Sequence, residues 1–459
     1  MPAAVRCGLG QWIMPLQKTF RPYDQHTLLL MPPSLHDWVA DDGLAAFLND
    51  AVDALDLRPL LAAHDEPRGK PPYHPALMLK VLLYGYAGGV RSSRKLEQRL
   101  AADVNFMFLA GQARPDHKTI SEFRRRHLAA FSTLFVEVLA LCQAAGLVKL
   151  GRVALDGTKL KANASKHKAM SYGRMLKREA ELEAEVKAIL DEAEAIDAAE
   201  DAQFGDARGD ELPPELARRE TRLVKIRQAK AALEAEARAR KNDPDAVPEP
   251  TAQRNFTDPE SRIMRSRTEG FVQGYNAQAA VDGSHQVVVA CDLNADPTDT
   301  RALPDLVDQI ERNLGRRPKR LLADAGYYSD ANLDHLAAAA IEPFIATRRS
   351  EHSDPRPTAP RGRIPKHLSR RERMARKLST KAGQRHYSTR KVIVEPVFGQ
   401  IKECRGFRRV SLRGEAPARA EWMLINLVHN LGKLFGSGRG DRVLAARGRF
   451  GPALSAMAA

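Results

Sequence analysis

Residues 386–413, near the carboxyl end of the chain, have the sequence HYSTRKVIVEPVFGQIKECRGFRRVSLR. It places one acidic residue, Glu395, on a short apolar segment between clusters of cations. These cations are Arg390, Lys391, Lys402, Arg405, Arg408 and Arg409. An isolated carboxylate in such surroundings is a poor element of a hydrophobic core, so a functional role is indicated. Because Glu395 precedes Pro396, we expect it near the start of a helix.

Two further carboxylates follow apolar runs that are typical of strands. Asp156 ends the strand-like part of GRVALDGTKLK, and Asp324 follows KRLLA. After residue 150 the sequence predicts a strand, a helical insertion and a two-stranded hairpin with its turn at 282–284. These are followed by a helix, a strand, a helix and a strand, and then by a basic loop over 347–386 and a final helix. This alternation predicts an α/β fold with a mixed sheet. A three-layer ribonuclease-H-like core satisfies the order, and other mixed α/β folds satisfy it too.

The pattern divides the chain into four predicted parts. Residues 1–27 read as a leader, 28–148 as an all-helical N-terminal domain, 149–436 as an α/β catalytic domain and 437–459 as a flexible tail. The α/β part contains a helical hairpin insertion at about 165–255, indicated by two heptad-like apolar series. These series are Met175, Leu182, Ile189 and Ile196, and then Leu216, Leu223, Ile226 and Leu233. A spacer role for the hairpin is favoured over direct contact with DNA.

The positive charge of the chain is concentrated in one region. The net charge is +15, and residues 348–413 hold 20 Lys/Arg against 5 Asp/Glu, a surplus of the same size. Such a surplus is typical of a nucleic-acid partner, and a solvated basic loop is the alternative.

The composition also excludes several classes of protein. The 4 cysteines show no paired spacing, which indicates neither disulfides nor zinc and fits a reducing cytoplasm. No apolar run approaches the ~20 residues of a membrane-spanning helix.

Basic residues outside the 386–413 stretch are further candidates for DNA contact. The segment KLKANASKHK, directly after Asp156, offers Lys159, Lys161 and Lys166. In the helical N-terminal part, the run at 124–126 offers Arg124 and Arg125 as groove or phosphate contacts. A solvated helix face is the alternative for that run.

Phosphodiester chemistry explains why three carboxylates would be needed. In-line displacement is catalysed by two divalent ions, Mg²⁺ or Mn²⁺, held by a few carboxylates so that water and phosphate fill the remaining positions. Asp156, Asp324 and Glu395 are therefore the predicted catalytic and metal-binding residues. A turn or helix-cap role is the usual alternative for any single aspartate after a strand. The competing aspartates are Asp282, Asp292 and Asp296.

Several of these segments together resemble the DDE transposases of bacterial insertion sequences. They are DGTKLKANASKHK, GYNAQAAVD, LLADAGYYS, VEPVFGQIKE with GFRRVSLRG, and EWMLINLVHNLGKL, within a similarity that covers roughly residues 24–436. The eleven-eighty-two group is the most similar branch, with relatives in the groups numbered four and five. The resemblance implies a ribonuclease-H-like catalytic domain, Mg²⁺ dependence, action on the terminal inverted repeats, and the triad Asp156, Asp324 and Glu395.

The sequence departs from the family signature around Glu395. The family signature has a Tyr, an Arg, the catalytic Glu and a Lys at fixed spacings. Lys402 is at the expected spacing from Glu395, whereas Tyr387 and Arg390 are shifted by one residue and Lys391 takes the expected Arg position.

The expected partner is double-stranded DNA, bound by a homodimer in the bacterial cytoplasm in association with the nucleoid and with no membrane. A nuclease that cuts without joining, or an inactive DNA-binding descendant, remains the alternative.

Overall fold

The computed structural model describes residues 5–6, 12–13, 34–63, 71–204, 214–266, 269–348, 359–363, 365 and 367–450. Most of the predicted leader and the end of the predicted tail lie outside these residues. The described α-helices are α1 Leu44–Asp53, α2 Arg58–Leu61, α3 Pro75–Ala87, α4 Ser93–Ala102, α5 Val104–Leu109, α6 His117–Arg126, α7 Ala130–Ala144, α8 Tyr172–Phe204, α9 Pro214–Lys241, α10 Ala302–Leu314, α11 Asp330–Ala338, α12 Arg370–Ser379, α13 Lys381–Gly399, α14 Glu415–Gly436 and α15 Gly440–Phe450.

A mixed sheet of six strands forms the centre of the α/β part. The strands are β1 Val153–Lys161, β2 Arg262–Ser266, β3 Gly270–Asp282, β4 Val288–Asn294, β5 Arg320–Ala323 and β6 Glu342–Ile345. Their order is β6–β5–β1–β3, with β2 and β4 both pairing with β3. β1, β5 and β6 are parallel, whereas β3 runs antiparallel to β1, β2 and β4. The predicted mixed α/β class is confirmed.

The strand β3 is long enough to pair with three neighbours. Its residues 274–282 pair with β1 on one side, while β2 pairs with its first half and β4 with its second half. A Cβ on Gly274 would lie 2.2 Å from the Leu160 carbonyl oxygen, so only glycine permits this approach of the two backbones. The pairing also extends β1 to Lys161, and the expectation that this strand ends at Asp156 is wrong.

The directions of the strands bring several strand ends to one edge. β4 is antiparallel to β3, which is antiparallel to β1, so β4 runs in the same direction as β1 and β5. The carboxyl ends of β4 and β5 and the later part of β1 therefore lie at the same edge of the sheet. Polar residues that follow these strands meet there.

One hydrophobic core includes residues of the N-terminal helices and of the sheet. It extends from Phe47 in α1 to Leu444 in α15. The long helix α14 packs against α7, α3 and β4, and its Trp422 is fully buried with the indole N–H donating to the Gln278 carbonyl at 2.9 Å. The helix α15 falls in the predicted flexible tail but is fixed by an ion pair of 2.8 Å between Arg447 and Glu137.

The segment predicted to form a helical hairpin contains the long helices α8 and α9, with the residues 205–213 between them outside the described part. Its apolar seam includes Met175 and Leu182 on α8 and Leu223, Ile226 and Leu233 on α9. The short strands Ala169–Ser171 and Gln253–Asn255 pair at the base of the hairpin and join it to the body of the fold.

The described part of the basic region after β6 is more helical than predicted, and residues 349–358 of the expected loop lie outside the described residues. A loop was expected over 347–386, but α12 begins at Arg370 with a capping box between Ser369 and Glu372, and α13 begins at Lys381. Pro396 lies inside α13 and has no N–H for the Val392 carbonyl, which accepts instead from the Gln286 side chain at 2.9 Å. This contact explains why the helix continues through the proline.

No single helix among the described residues is long and apolar enough to cross a membrane. The pair α6 and α7, bent by 79°, meets the criteria of length and composition only when the two helices are taken together.

Candidate active site

Asp156 and Asp324 lie side by side at the edge of the sheet. The parallel strands β1 and β5 pair Val153 with Leu321 and Ala154 with Leu322. Continued by two residues, this register places Asp156 beside Asp324. The two carboxylates that sequence reasoning selected from distant segments are therefore neighbours.

The surroundings of Asp156 disfavour its charge. The pKa of the Asp156 carboxyl is raised to about 6, chiefly by burial and also by the neighbouring charge of Asp324, while Arg390 opposes the rise. The Arg390 Nη1 lies 3.0 Å from Asp156 Oδ2, and the Gly157 N–H donates to Oδ1 at 2.9 Å. Asp156 therefore has one close cationic partner, Arg390, and one neighbouring carboxylate, Asp324, which repels its negative charge.

Asp324 begins the short 3-10 helix Ala325–Tyr327, in which its Oδ1 accepts from the Gly326 N–H at 2.8 Å. Gly326 also allows another carboxylate to approach. A Cβ at this position would lie 2.9 Å from Asp299 Oδ2 and 3.0 Å from Asp324 Oδ1. Only a residue without a side chain leaves room for both oxygens.

Asp299 is a site residue that the sequence analysis missed. Its Oδ1 accepts from Asn276 Nδ2 and Gln278 Nε2, each at 2.8 Å, and lies 3.6 Å from Lys159 Nζ. It lies between β4 and α10, at the sheet edge shared with Asp156. Asp299 could have been identified from the direction of β4, because a carboxylate that follows a strand parallel to β1 lies at the same edge of the sheet as Asp156.

The fully buried Tyr327 lies close to the carboxylates Asp156, Asp299 and Asp324. The Tyr327 hydroxyl donates to Gln278 Oε1, and burial raises its pKa well above the usual value. Asp299, Asp156 and Asp324 each add to that rise, so all three carboxylates act on the same hydroxyl.

We predict that Asp299→Ala lowers DNA cleavage by about 10–100-fold, an effect typical of residues that orient a catalytic carboxylate from outside it. The loss frees the amides of Asn276 and Gln278 and removes the carboxylate beside Lys159. Because Gln278 also accepts from Tyr327, the turn that begins at Asp324 is held less firmly. Cleavage rates at saturating DNA measure the effect. Asp308→Ala, which removes a carboxylate from the neighbouring helix α10, is the control. Equal rates for both variants would contradict a role for Asp299.

Glu395 is placed differently from the two aspartates. It lies on the exposed side of α13, well inside the helix and not near its start as expected, and no hydrogen bond or ion pair engages it among the described residues. Within the same described ranges, no group of three or more His, Cys, Asp or Glu side chains is arranged to hold a metal ion. The structure thus brings together Asp156 and Asp324 but not the third predicted ligand.

The aspartate pair nevertheless fits a divalent cation. Carboxylate oxygens are the ligands that Mg²⁺ prefers, and one or two of them suffice when water and substrate phosphates supply the rest. Burial is the main cause of the raised pKa of Asp156, and Asp324 adds to it. A bound cation would offset both the burial of this charge and its repulsion by Asp324.

The predicted DNA-binding residues fall into three groups by position. Some are held against the protein: Lys159 by the Pro297 carbonyl, Lys161 by Glu269, Lys402 by the Lys159 carbonyl, Arg390 by Asp156, and Arg405 by partial burial beside Gly432. Others are exposed: Lys391, Arg408, Arg409 and Arg125. The side chain of Lys166 lies outside the described part.

Arg124 is a correction to the predicted DNA contacts. It is buried, and its guanidinium donates to the Tyr86 hydroxyl at 3.0 Å, the Arg91 carbonyl at 2.9 Å and the Ser93 hydroxyl at 2.7 Å. These bonds join α6 to α3 and α4, so the side chain serves packing and presents no charge to a ligand.

Comparison with known protein families adds two matches. Residues 247–431 match the family model described as a transposase DDE domain, and residues 33–126 match one described as a transposase domain. No curated protein and no solved structure matches the chain. The two matches occupy successive parts of one chain, and the first contains Asp324 and Glu395. Together they support the assignment of this protein as a DDE transposase of insertion sequences, an agent of DNA recombination encoded by a mobile element.

Proposed function

We propose that the protein cuts DNA at the terminal inverted repeats of its insertion sequence and joins the freed 3′-hydroxyl ends to target DNA by two-metal phosphoryl transfer. The observation that carries the proposal is the pair Asp156 and Asp324, adjacent at the edge of a mixed sheet. The eleven-eighty-two group remains the branch that we propose, and the bacterial cytoplasm, where the DNA lies, is the proposed place of action.

The strand order supports a ribonuclease-H-like core. Three antiparallel strands, β4, β3 and β1, are followed by the parallel strands β5 and β6, with helices packed against the sheet. In this arrangement the first carboxylate lies on β1 and the second directly after β5. Both positions are rigid because they belong to paired strands or to a capped turn.

The proposed roles follow from the contacts of each side chain. Asp156 and Asp324 would hold the metal ions, with Glu395 as the proposed third ligand. When bound, the ions would stabilise the attacking and leaving oxygens of the displacement. Arg390 keeps Asp156 oriented through its bond of 3.0 Å. Asp299 accepts from Gln278, which in turn accepts from the Tyr327 hydroxyl in the turn that follows Asp324.

DNA would be held by the exposed cations near this edge. Lys391, Arg408 and Arg409 lie on or after α13, and the backbone of Arg409 is tied to the N-terminal part by a hydrogen bond from Arg91. Arg125 would add a contact from α6. Each neutralised phosphate releases counterions and makes binding salt-dependent. Pairing of the two transposon ends by a homodimer is part of the proposal.

The test uses purified protein, Mg²⁺ and labelled duplex DNA that carries the ends of the element. Wild type is compared with Glu395→Gln, and Glu403→Gln serves as the control because Glu403 is exposed and pairs with Arg408. We expect wild type and Glu403→Gln to cut and join, and Glu395→Gln to do neither.

Other outcomes would identify the alternatives. Cutting without any joined product would indicate a nuclease. Tight binding with no cutting by wild type would indicate an inactive DNA-binding protein. Cutting by Glu395→Gln but not by Glu403→Gln would assign the third carboxylate to Glu403.

A further inference from the structure

An open groove of about 410 Å³ lies where the helical hairpin meets the body of the protein. Its lining is basic and contains no acidic residue. The cations are Lys168, Arg174, Arg222 and Lys225, and His167 lies beside them. Phe256 contributes an aromatic surface, and its backbone N–H donates to the Lys168 carbonyl at 3.0 Å. Four cations around one cavity favour an anionic partner.

Other cations of the hairpin, outside the groove, form ion pairs with its carboxylates. Arg227 pairs with Glu179 at 3.2 Å and also with Glu183, and Lys230 reaches Glu179 at 2.5 Å. Cross-helix ion pairs thus neutralise the side of the hairpin that carries these residues.

Arg174, Arg222 and Lys225 are exposed and have no ion pair or side-chain hydrogen bond among the described residues. Arg174 comes from α8, and the other two come from α9 one turn apart. Because no described carboxylate of the hairpin pairs with them, their charges are available to an external anion.

The groove shares His167 with a second groove of about 520 Å³ at the end of β1. Lys161, Arg409 and Glu269 line this second groove, and Glu269 pairs with Lys161 at 2.5 Å. Lys161 follows Asp156 by five residues on β1, a distance of roughly 17 Å along a strand. That distance corresponds to about five base pairs of duplex. A duplex cut at Asp156 would therefore have its flank along this path.

We propose that the groove between the hairpin and the segment after β1 binds the phosphate backbone of duplex DNA next to the cleavage site. The inference rests on the proposed function and gives the hairpin a role beyond the spacer that its sequence favoured. The occupant is a polyanion, because the lining has only positive charge, and duplex DNA is the polyanion that the neighbouring active site would hold.

The test is a salt series of DNA binding by the full chain. Fluorescence anisotropy with a labelled duplex carrying the element's end is measured without divalent metal, in an Asp324→Asn background that leaves the DNA uncut. Arg222→Ala/Lys225→Ala should reduce the magnitude of the log K against log[salt] slope by about 0.9 for each lost contact, roughly 1.8 in total. Between 50 and 200 mM salt, the variant should lose roughly tenfold less affinity than its parent.

The matched control is Lys177→Ala/Lys187→Ala, which removes the same charge from exposed positions on α8 outside the groove. Its slope should equal that of the parent, and circular dichroism should show equal helix content in all three proteins. Equal slopes for the groove variant and its parent would overturn the inference, as would equal flattening by the groove and control variants.

Two further outcomes separate the sources of failure. If the parent itself does not bind the duplex, the proposed function fails, and the inference that depends on it fails with it. If the groove variant loses affinity for inorganic phosphate while its duplex slope is unchanged, the groove is a small-anion site and the DNA inference is overturned.

Discussion

Asp324→Asn should lower the rate of DNA cleavage by roughly 10³-fold or more, which corresponds to about 4 kcal/mol of transition-state stabilisation. The substitution removes the charge that a metal ion needs. It keeps an oxygen that accepts the Gly326 N–H, so the turn after β5 is retained. We therefore expect DNA binding within about twofold of wild type and an unchanged thermal unfolding curve.

Cleavage under single-turnover conditions and anisotropy without metal measure the two effects separately. Asp330→Asn is the control, since Asp330 is an exposed carboxylate in the first turn of α11. A parallel loss of binding and cleavage by Asp324→Asn would show that the residue is structural. An unchanged cleavage rate would remove it from the active site.

Glu421→Ala should have the largest effect on stability, lowering the free energy of unfolding by about 3–5 kcal/mol. Glu421 is 1% exposed and accepts from the Tyr86 hydroxyl at 3.1 Å and from the Ser411 N–H at 2.6 Å. Tyr86 in turn accepts from Arg124. The substitution leaves the buried charge of Arg124 without its carboxylate and several donors without an acceptor.

Thermal and urea unfolding measure this loss. Glu403→Ala is the control because the ion pair of Glu403 with Arg408 is exposed, and such pairs contribute at most about 1 kcal/mol. A loss of less than 1 kcal/mol for Glu421→Ala would contradict the view that this network joins α3 and α6 to α14.

Local periodicity predicted the parts of the fold that depend on neighbours in sequence. The heptad spacing of Met175 and Leu182 identified α8, and the apolar run before Asp324 identified β5. The length of β1 was underestimated because Gly157 looked like the end of a strand. Its pairing with Gln278 on β3 is a long-range contact that no local pattern contains.

The candidate site was predictable where a residue follows a strand directly. Asp324 meets that description. Asp156 was found because it ends the apolar part of β1, although the strand itself continues to Lys161. Asp299 lies in a loop and becomes a neighbour only once the direction of β4 is known. For Arg124 the sequence did contain the missing signal. Ile120, Phe123 and Arg124 are spaced as one face of a helix, and all three are buried.

The most direct test of the central claim is the number of divalent ions that the DNA complex binds. Electron paramagnetic resonance of free Mn²⁺ measures this number for wild type and for Asp156→Asn/Asp324→Asn, with the same DNA alone as the reference. We expect two ions per active site in the wild-type complex and their loss in the double variant. An equal number of bound ions in both proteins would contradict metal binding by the aspartate pair.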